Sequence, residues 1–201
     1  SGTIWDGEWS ALTAAVKARS GALHLVGLLS DGNVHASVAH LFAMLERSAA
    51  DGVERVFVHV LLDGRDVPDH SAEQYLALLE DKLQALNAAS GTHFALASGG
   101  GRMTTSMDRY EANWQVVERG WHAHVLGEGR RFSSAADAVA TFRREQAGIS
   151  DQQLPAFVVA ADADLDEPLG PIVDGDAVVL YNFRGDRAMQ LSRAFVEGEA
   201  F

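Results

Sequence analysis

The chain has 201 residues, no cysteine, 47% hydrophobic composition and 16 basic against 28 acidic side chains, a formal charge of −12 with histidine neutral. This length suits one domain whose core needs no staples, and the missing cysteines exclude disulfide scaffolds, thiolate metal sites and cysteine nucleophiles together. No apolar stretch reaches the roughly 18 to 20 residues of a spanning helix, no signal-peptide pattern opens the chain, and the acidic balance excludes general nucleic-acid or anionic-membrane binding without a local basic patch.

In chain order, Trp9, Leu12, Ala15 and Val16 mark an amphipathic opening helix, and Leu23–Leu29 is the first strand. A helix through Val38, Leu41, Phe42 and Leu45 stops near Asp51-Gly52. Residues 56–62 form the second strand, and Ser71-Ala72-Glu73-Gln74 fits a capping box opening a helix through Tyr75, Leu79, Leu83 and Leu86. Residues 92–97 are the third strand. Two helices follow, one containing Trp114, Val117 and Trp121, the other running from about Ser134 through Val139 and Phe142. Strands at 156–160 and 177–182 and a helix from Asp186 through Leu191 to Phe195 close the chain. There is no repeat and no dividing linker. The alternation predicts one α/β domain over residues 1–201, a three-layer α/β/α sandwich with a largely parallel or mixed central sheet.

Open α/β sheets bind ligands outside the carboxyl ends of their strands, so the strand exits carry the functional information. The first strand leaves into Ser30-Asp31-Gly32-Asn33-Val34-His35, and the second into Asp63-Gly64-Arg65-Asp66. The third leaves into Ser98-Gly99-Gly100-Gly101-Arg102, with Arg109 seven residues beyond, and the last into Asn182-Phe183-Arg184-Gly185-Asp186-Arg187. A parallel sheet would gather Arg65, Arg102, Arg109, Arg184 and Arg187 around one cleft. Asp31, Asp63, Asp66, Asp108 and Asp186 are available as counter-charges. Arginine forks match carboxylate and phosphate bidentately, so the expected ligand is a small phosphorylated or carboxylated molecule. The bland account is a set of surface Arg–Asp pairs, worth little. His35, at a helix entry, could donate to a phosphate oxygen or move a proton. The triple glycine could bring N–H groups to an anion or simply be a turn.

Other patterns fail. Asp162-Ala163-Asp164-Leu165-Asp166 opens like a calcium loop but has Glu167 where glycine is required and Val173 at position twelve. Arg184-Gly185-Asp186 matches an adhesion tripeptide by chance. His59 lies inside an apolar strand and reads as a core histidine, while His122 and His124 fall on different helix faces. No HExxH, P-loop, G-x-S-x-G or dinucleotide fingerprint occurs. Ser30 is a nucleophile only in principle, with no base at fixed spacing.

Four segments, LHLVGLLSDGNVH (residues 23–35), FVHVLLDGRDVP (57–68), ASGGGRM with MDRYEANW (97–114) and GPIVDGDAVVLYNFRGDRAMQLSRAF (170–195), resemble the cofactor-independent (2,3-bisphosphoglycerate-independent) phosphoglycerate mutases. The GGGRM form is most similar to the branch found in plants and trypanosomatids. The resemblance covers only the family's inserted substrate-binding, or phosphotransferase, domain. The serine nucleophile and the two-metal cage of Asp and His ligands belong to the other, alkaline-phosphatase-like domain and have no counterpart here.

The resemblance implies part of an isomerase of glycolysis and gluconeogenesis that interconverts 3-phosphoglycerate and 2-phosphoglycerate through a phosphoserine formed in that other domain. It implies substrate contacts from His35, Arg65 and Asp66, with Asp66 as the catalytic proton donor and acceptor. Arg102 and Arg109 would hold the glycerate carboxylate and nearby oxygens, and Arg184 and Arg187 the phosphoryl group. Manganese, or magnesium, would be bound by the absent domain and no metal by this chain. A cytoplasmic monomer with no nucleic-acid or membrane partner is expected, as is inactivity of the chain alone. An inserted domain also requires both chain ends close together on one edge. The alternatives are a non-catalytic phosphate- or carboxylate-binding module and a purely structural domain.

Overall fold

The computed structural model describes residues 2–162 and 164–197. Four parallel strands, β1 (Leu23–Leu29), β2 (Arg55–Leu62), β3 (His93–Gly101) and β6 (Ala177–Leu180), lie side by side with β1 between β2 and β6. Two short strands, β4 (Arg130–Phe132) and β5 (Phe157–Val159), run parallel to each other, and β5 is antiparallel to β3. The order is β4-β5-β3-β2-β1-β6, a mixed sheet. A parallel strand covered on both faces must be apolar throughout, and every residue of β1 is buried.

Helices cover both faces. Leu25 joins the larger core with α1 (Glu8–Ala18), α2 (Val38–Ala50), α3 (Ala72–Ser90) and α5 (Ala135–Glu145), contributing Val16, Leu41, Leu79 and Val139 among others. The next residue, Val26, points the other way, to Val117 of α4 (Trp114–His124) and Leu191 and Ala194 of α6 (Met189–Glu197). This is the period-two alternation of a strand. Among the described residues no helix is long and apolar enough to cross a membrane. The expectation about the chain ends bears on Ser1 and residues 198–201, which lie outside the described residues.

Several expectations need correction. The triple glycine is neither a turn nor an anion-approaching loop, because it continues β3, with Gly99, Gly100 and Gly101 paired to Val60, Leu61 and Leu62. Glycine is required there by closeness: a Cβ on Gly99 would lie 2.6 Å from the Phe157 ring and 2.8 Å from Val60. Ser71 precedes α3 but forms no capping box. Its hydroxyl donates to Pro68 O, and Asp151, 79 residues away, accepts the Ala72 N–H at 2.8 Å. β4 was not anticipated, since Arg130-Arg131-Phe132 has the polar character of an edge strand. Its Arg130 holds Glu145 bidentately, both bonds 2.7 Å. β6 ends at Leu180, and Asn182 Oδ1 instead accepts the Leu28 N–H at 3.0 Å. The last helix begins at Met189, because Gly185–Arg187 forms a separate 3-10 turn.

His59 is a core histidine, and it is one link of a longer chain. A register shift after Val58 pairs His59 with Ser98, skipping Ala97. Asp176 Oδ2 lies 3.0 Å from His24 Nε2, His24 Nδ1 2.9 Å from His59 Nε2, His59 Nδ1 2.6 Å from Ser98 Oγ, and Ser98 Oγ 2.7 Å from His124 Nδ1. A carboxylate can only accept, so every direction follows from Asp176. His24 and His59 donate from Nε2, Ser98 donates to His59, and His124 donates from Nδ1 to Ser98. Burial disfavours the charged imidazoles. It lowers His24, drives His59 well below the usual histidine range, and takes His124 to about 3.

Candidate functional site

The carboxyl ends of β1, β2 and β3 meet through one aspartate. Asp63, the first residue after β2, has a side chain only 1% exposed. Its Oδ2 accepts from Ser30 Oγ at 2.6 Å, tying in the exit of β1. Its Oδ1 accepts the N–H groups of Arg65 (3.2 Å) and Asp66 (3.1 Å), closing a local Asx-type turn. The same oxygen accepts from Arg102 Nη1 at 2.7 Å, tying in the exit of β3. Burial alone would push the Asp63 carboxyl up, but these donors, Ser30 first, hold it below the usual carboxylate range. Sequence reasoning saw in Asp63 only a spare counter-charge. The signal for more was local: an aspartate two and three residues before Arg65 and Asp66, ready to fold the turn that aims them.

From Asp63 the charged groups run outward. Arg102 is 1% exposed, the largest fully buried side chain, and its Nη1 also donates to Asp66 Oδ2 at 2.5 Å. Asp66 Oδ2 lies 3.9 Å from Nε2 of the buried His35, whose Nδ1 is 3.3 Å from Asp186 Oδ1. Asp186 Oδ2 is in turn 3.4 Å from Arg109 Nε and 3.2 Å from Arg184 Nη2. Backbone supports the approach: the Arg184 N–H donates to His35 O at 3.3 Å. At Gly32 a Cβ would lie 2.9 Å from the Asp66 Cβ, so the β1 exit needs glycine to pass this close. The His35 imidazole is pushed down by burial and then by Arg102, against the opposing pull of Asp186 and Asp66.

Arg187 shows that the guanidiniums converge. Its Nη1 donates to Met107 O at 2.9 Å, and burial, then the positive charges of Arg102, Arg109 and Arg65, lower its pKa against Asp186. Arg65 itself is exposed. Arg109 joins the group through its own loop, not through the glycine run. Its guanidinium lies 4.5 Å from the Tyr110 ring centre and donates to the Tyr110 hydroxyl at 2.9 Å. Ser106, Tyr110 and Glu111 all have φ near +59°, a left-handed conformation that non-glycine residues hold only when surroundings enforce it. With its amide oriented to satisfy the network, Gln190 enforces it by accepting the Tyr110 and Glu111 N–H groups at 3.1 and 2.8 Å.

The structure thus brings together His35, Arg65, Asp66, Arg102, Arg109, Arg184 and Arg187. Arg102 pairs with Asp63 and Asp66, and Arg109 and Arg184 lie against Asp186. Of the other two candidate counter-charges, Asp31 accepts from the Tyr75 hydroxyl and Asp108 is buried. A cavity of about 800 Å³ between α4 and α6, lined by Trp121 and Phe195 among others, contains none of the cleft residues. Its walls mix these rings with Glu118, His122 and Arg193, so cavity size does not locate the anion site. Among the described residues no three His, Asp or Glu side chains gather where they could hold a metal ion.

The family described as BPG-independent PGAM N-terminus matches residues 4–201. A Leptospira interrogans relative is 51% identical over 198 residues, covering 98% of this chain and 35% of that protein. The 2,3-bisphosphoglycerate-independent phosphoglycerate mutase of Trypanosoma brucei brucei is 50% identical over 200 residues, covering 99% and 36%. A crystal structure of Leishmania mexicana phosphoglycerate mutase at low cobalt concentration superposes with a TM-score of 0.94 at 47% identity, over all of this chain and 36% of that one. The chain spans little more than a third of the length of these relatives.

Proposed function

Because the chain belongs to the BPG-independent phosphoglycerate mutase N-terminus family, we propose that its arginine cleft is the substrate-binding half of a mutase that interconverts 3-phosphoglycerate and 2-phosphoglycerate. The observation that carries this reading is the convergence of five arginines from three strand ends and one adjoining loop on His35 and Asp66. Arg184 and Arg187 grip the phosphoryl group, and Arg109 and Arg65 hold the carboxylate and neighbouring oxygens. Arg102, committed to Asp63 and Asp66, keeps Asp66 aimed and lends the cleft its buried positive charge.

The phosphoryl group passes from the substrate 3-oxygen to a serine of a metal-binding domain outside this chain and returns to the 2-oxygen. Asp66, which enters the cycle protonated, gives its proton to the 3-oxygen as that P–O bond breaks, while the serine hydroxyl gives up its own. It then takes a proton from the 2-hydroxyl as the new bond forms and the serine is reprotonated. Manganese, or magnesium, held by that domain would stabilise the charge of the transferring group. The 201 residues form one substrate-binding domain of a cytoplasmic, monomeric enzyme of glycolysis and gluconeogenesis.

Calorimetric titration of this chain with 3-phosphoglycerate tests the reading. Weak binding is expected, since half the cleft lies elsewhere, and Arg184→Ala or Arg65→Ala should reduce it about tenfold or more. Adding the separate metal-binding domain with manganese should restore turnover, which this chain alone should lack. Binding indifferent to both arginines, or robust 2-phosphoglycerate formation by this chain alone, would falsify it.

A further inference from the structure

The cleft holds buried polar atoms with no formed hydrogen bond, among them His35 Nδ1, Arg109 Nε and both carboxylate oxygens of Asp186. They face one another. Asp186 lies 3.3 Å from His35 Nδ1, 3.4 Å from Arg109 Nε and 3.2 Å from Arg184 Nη2. The same chain shows what committed pairs look like, at 2.7 Å for Arg102–Asp63 and 2.7 Å twice for Arg130–Glu145. Buried polar groups left unbonded cost about 1–3 kcal/mol each and call for an explanation. Asp186 is shared among three donors and satisfies none of them.

The turn that carries it is loosely packed. Asp186 sits in the three-residue turn Gly185–Arg187, which has no buried residue, and a Cβ on Gly185 would meet nothing within 4 Å. A carboxylate placed loosely among three donors, on an unpacked turn, has the geometry of a ligand and not of a structural brace.

We propose that Asp186 is a built-in competitor for the cleft: its carboxylate holds the position between His35, Arg109 and Arg184 that an anionic group of the ligand takes, and withdraws as that group enters. This rests on the anion-binding reading above and deepens it, because the competitor sets a threshold. A phosphorylated ligand of high charge displaces Asp186, and a monovalent carboxylate does not. Asp186 is thereby a specificity-determining residue for anions of two or more negative charges.

The test is titration of the wild-type chain, Asp186→Asn and Arg184→Ala with inorganic phosphate, 3-phosphoglycerate and glycerate, followed by amide NMR spectra that also report folding. Asp186→Ala stands in if the asparagine variant does not fold. Loss of the competing charge should tighten phosphate binding roughly three- to tenfold and make glycerate binding detectable, while the His35 ring titrates at lower pH. Phosphate binding by Asp186→Asn where the wild type shows none also supports the proposal. Unchanged or weaker binding by Asp186→Asn, with wild-type binding intact and lost in Arg184→Ala, overturns the competitor and leaves the anion site standing. Failure of both wild type and Asp186→Asn to bind any of the three overturns both readings.

Discussion

Two polar chains cross β1, β2 and β3, and they are built on opposite terms. The histidine chain from Asp176 to His124 lies inside the sheet, is neutral along its imidazoles, and has links of 2.6–3.0 Å. The arginine cleft lies at the carboxyl ends of the same strands and is built of charged groups of both signs. Beyond Asp66 its contacts stretch to 3.2–3.9 Å, with buried polar atoms left unbonded. A buried network with satisfied bonds fixes a core. One left with unbonded donors and acceptors at its centre calls for an explanation, which the proposed ligand supplies. The exception in the histidine chain is His124 Nε2, which is buried without a partner at the chain's end.

The largest effect that would sharpen this contrast comes from Arg102→Ala. Arg102 belongs to the cleft by charge but to the core by burial, and its loss strands Asp63 without its guanidinium. Breaking a buried pair from one side costs about 3–5 kcal/mol, so urea denaturation should show a loss of that order. A change under about 1 kcal/mol would place Arg102 with the surface pairs instead.

Acid should act next, through the buried histidines. The unfolded histidines titrate near 6.5, while His59 and His124 are held lower in the fold. Between those values the unfolded chain binds protons that the folded chain does not. Stability is therefore full above about pH 7 and falls as pH drops, by about 2 kcal/mol for His124 between pH 7 and 5, with His59 adding a loss of the same sign. The depressed carboxyls Asp63 and Asp176 add their losses only nearer pH 4. Denaturation midpoints that stay level from pH 7 to 5 would contradict the neutral histidine chain.

A smaller effect is expected of Ser98→Ala, which leaves His59 Nδ1 and His124 Nδ1 without their shared partner. The cost should be about 1–3 kcal/mol, with 3-phosphoglycerate affinity of the folded variant unchanged. Altered affinity would mean that the two chains communicate and are not separate devices.

The elements were legible where their causes were local. β1 and β2 are apolar because both faces are covered, and the turn residues after them expose the exits. The seven cleft residues were legible for the same reason, since each follows a strand or lies in the loop behind one. β4 was hidden because an edge strand of two arginines and a phenylalanine carries no apolar period. The cap of α3 was hidden because Asp151 supplies it from 79 residues away, where Ser71 offered a local imitation. Asp186 was legible as an acidic residue between two arginines, but nothing in Arg184-Gly185-Asp186-Arg187 shows it turning toward His35.

By itself the sequence determined most of the strands and helices, β4 excepted, and that arginine gathers at the strand exits in an acidic chain, though it misplaced the ends of β3 and β6. These follow from burial and turn chemistry, which act over a few residues. Only the tertiary structure decided which carboxylate meets which guanidinium. That assignment follows from β6 lying beside β1 and from Asp63 reaching across to Arg102, and Coulomb energy depends on distance in space and not along the chain. The same acidic residue type consequently became a buried brace at Asp63, a proton carrier by proposal at Asp66, and a loosely held competitor at Asp186.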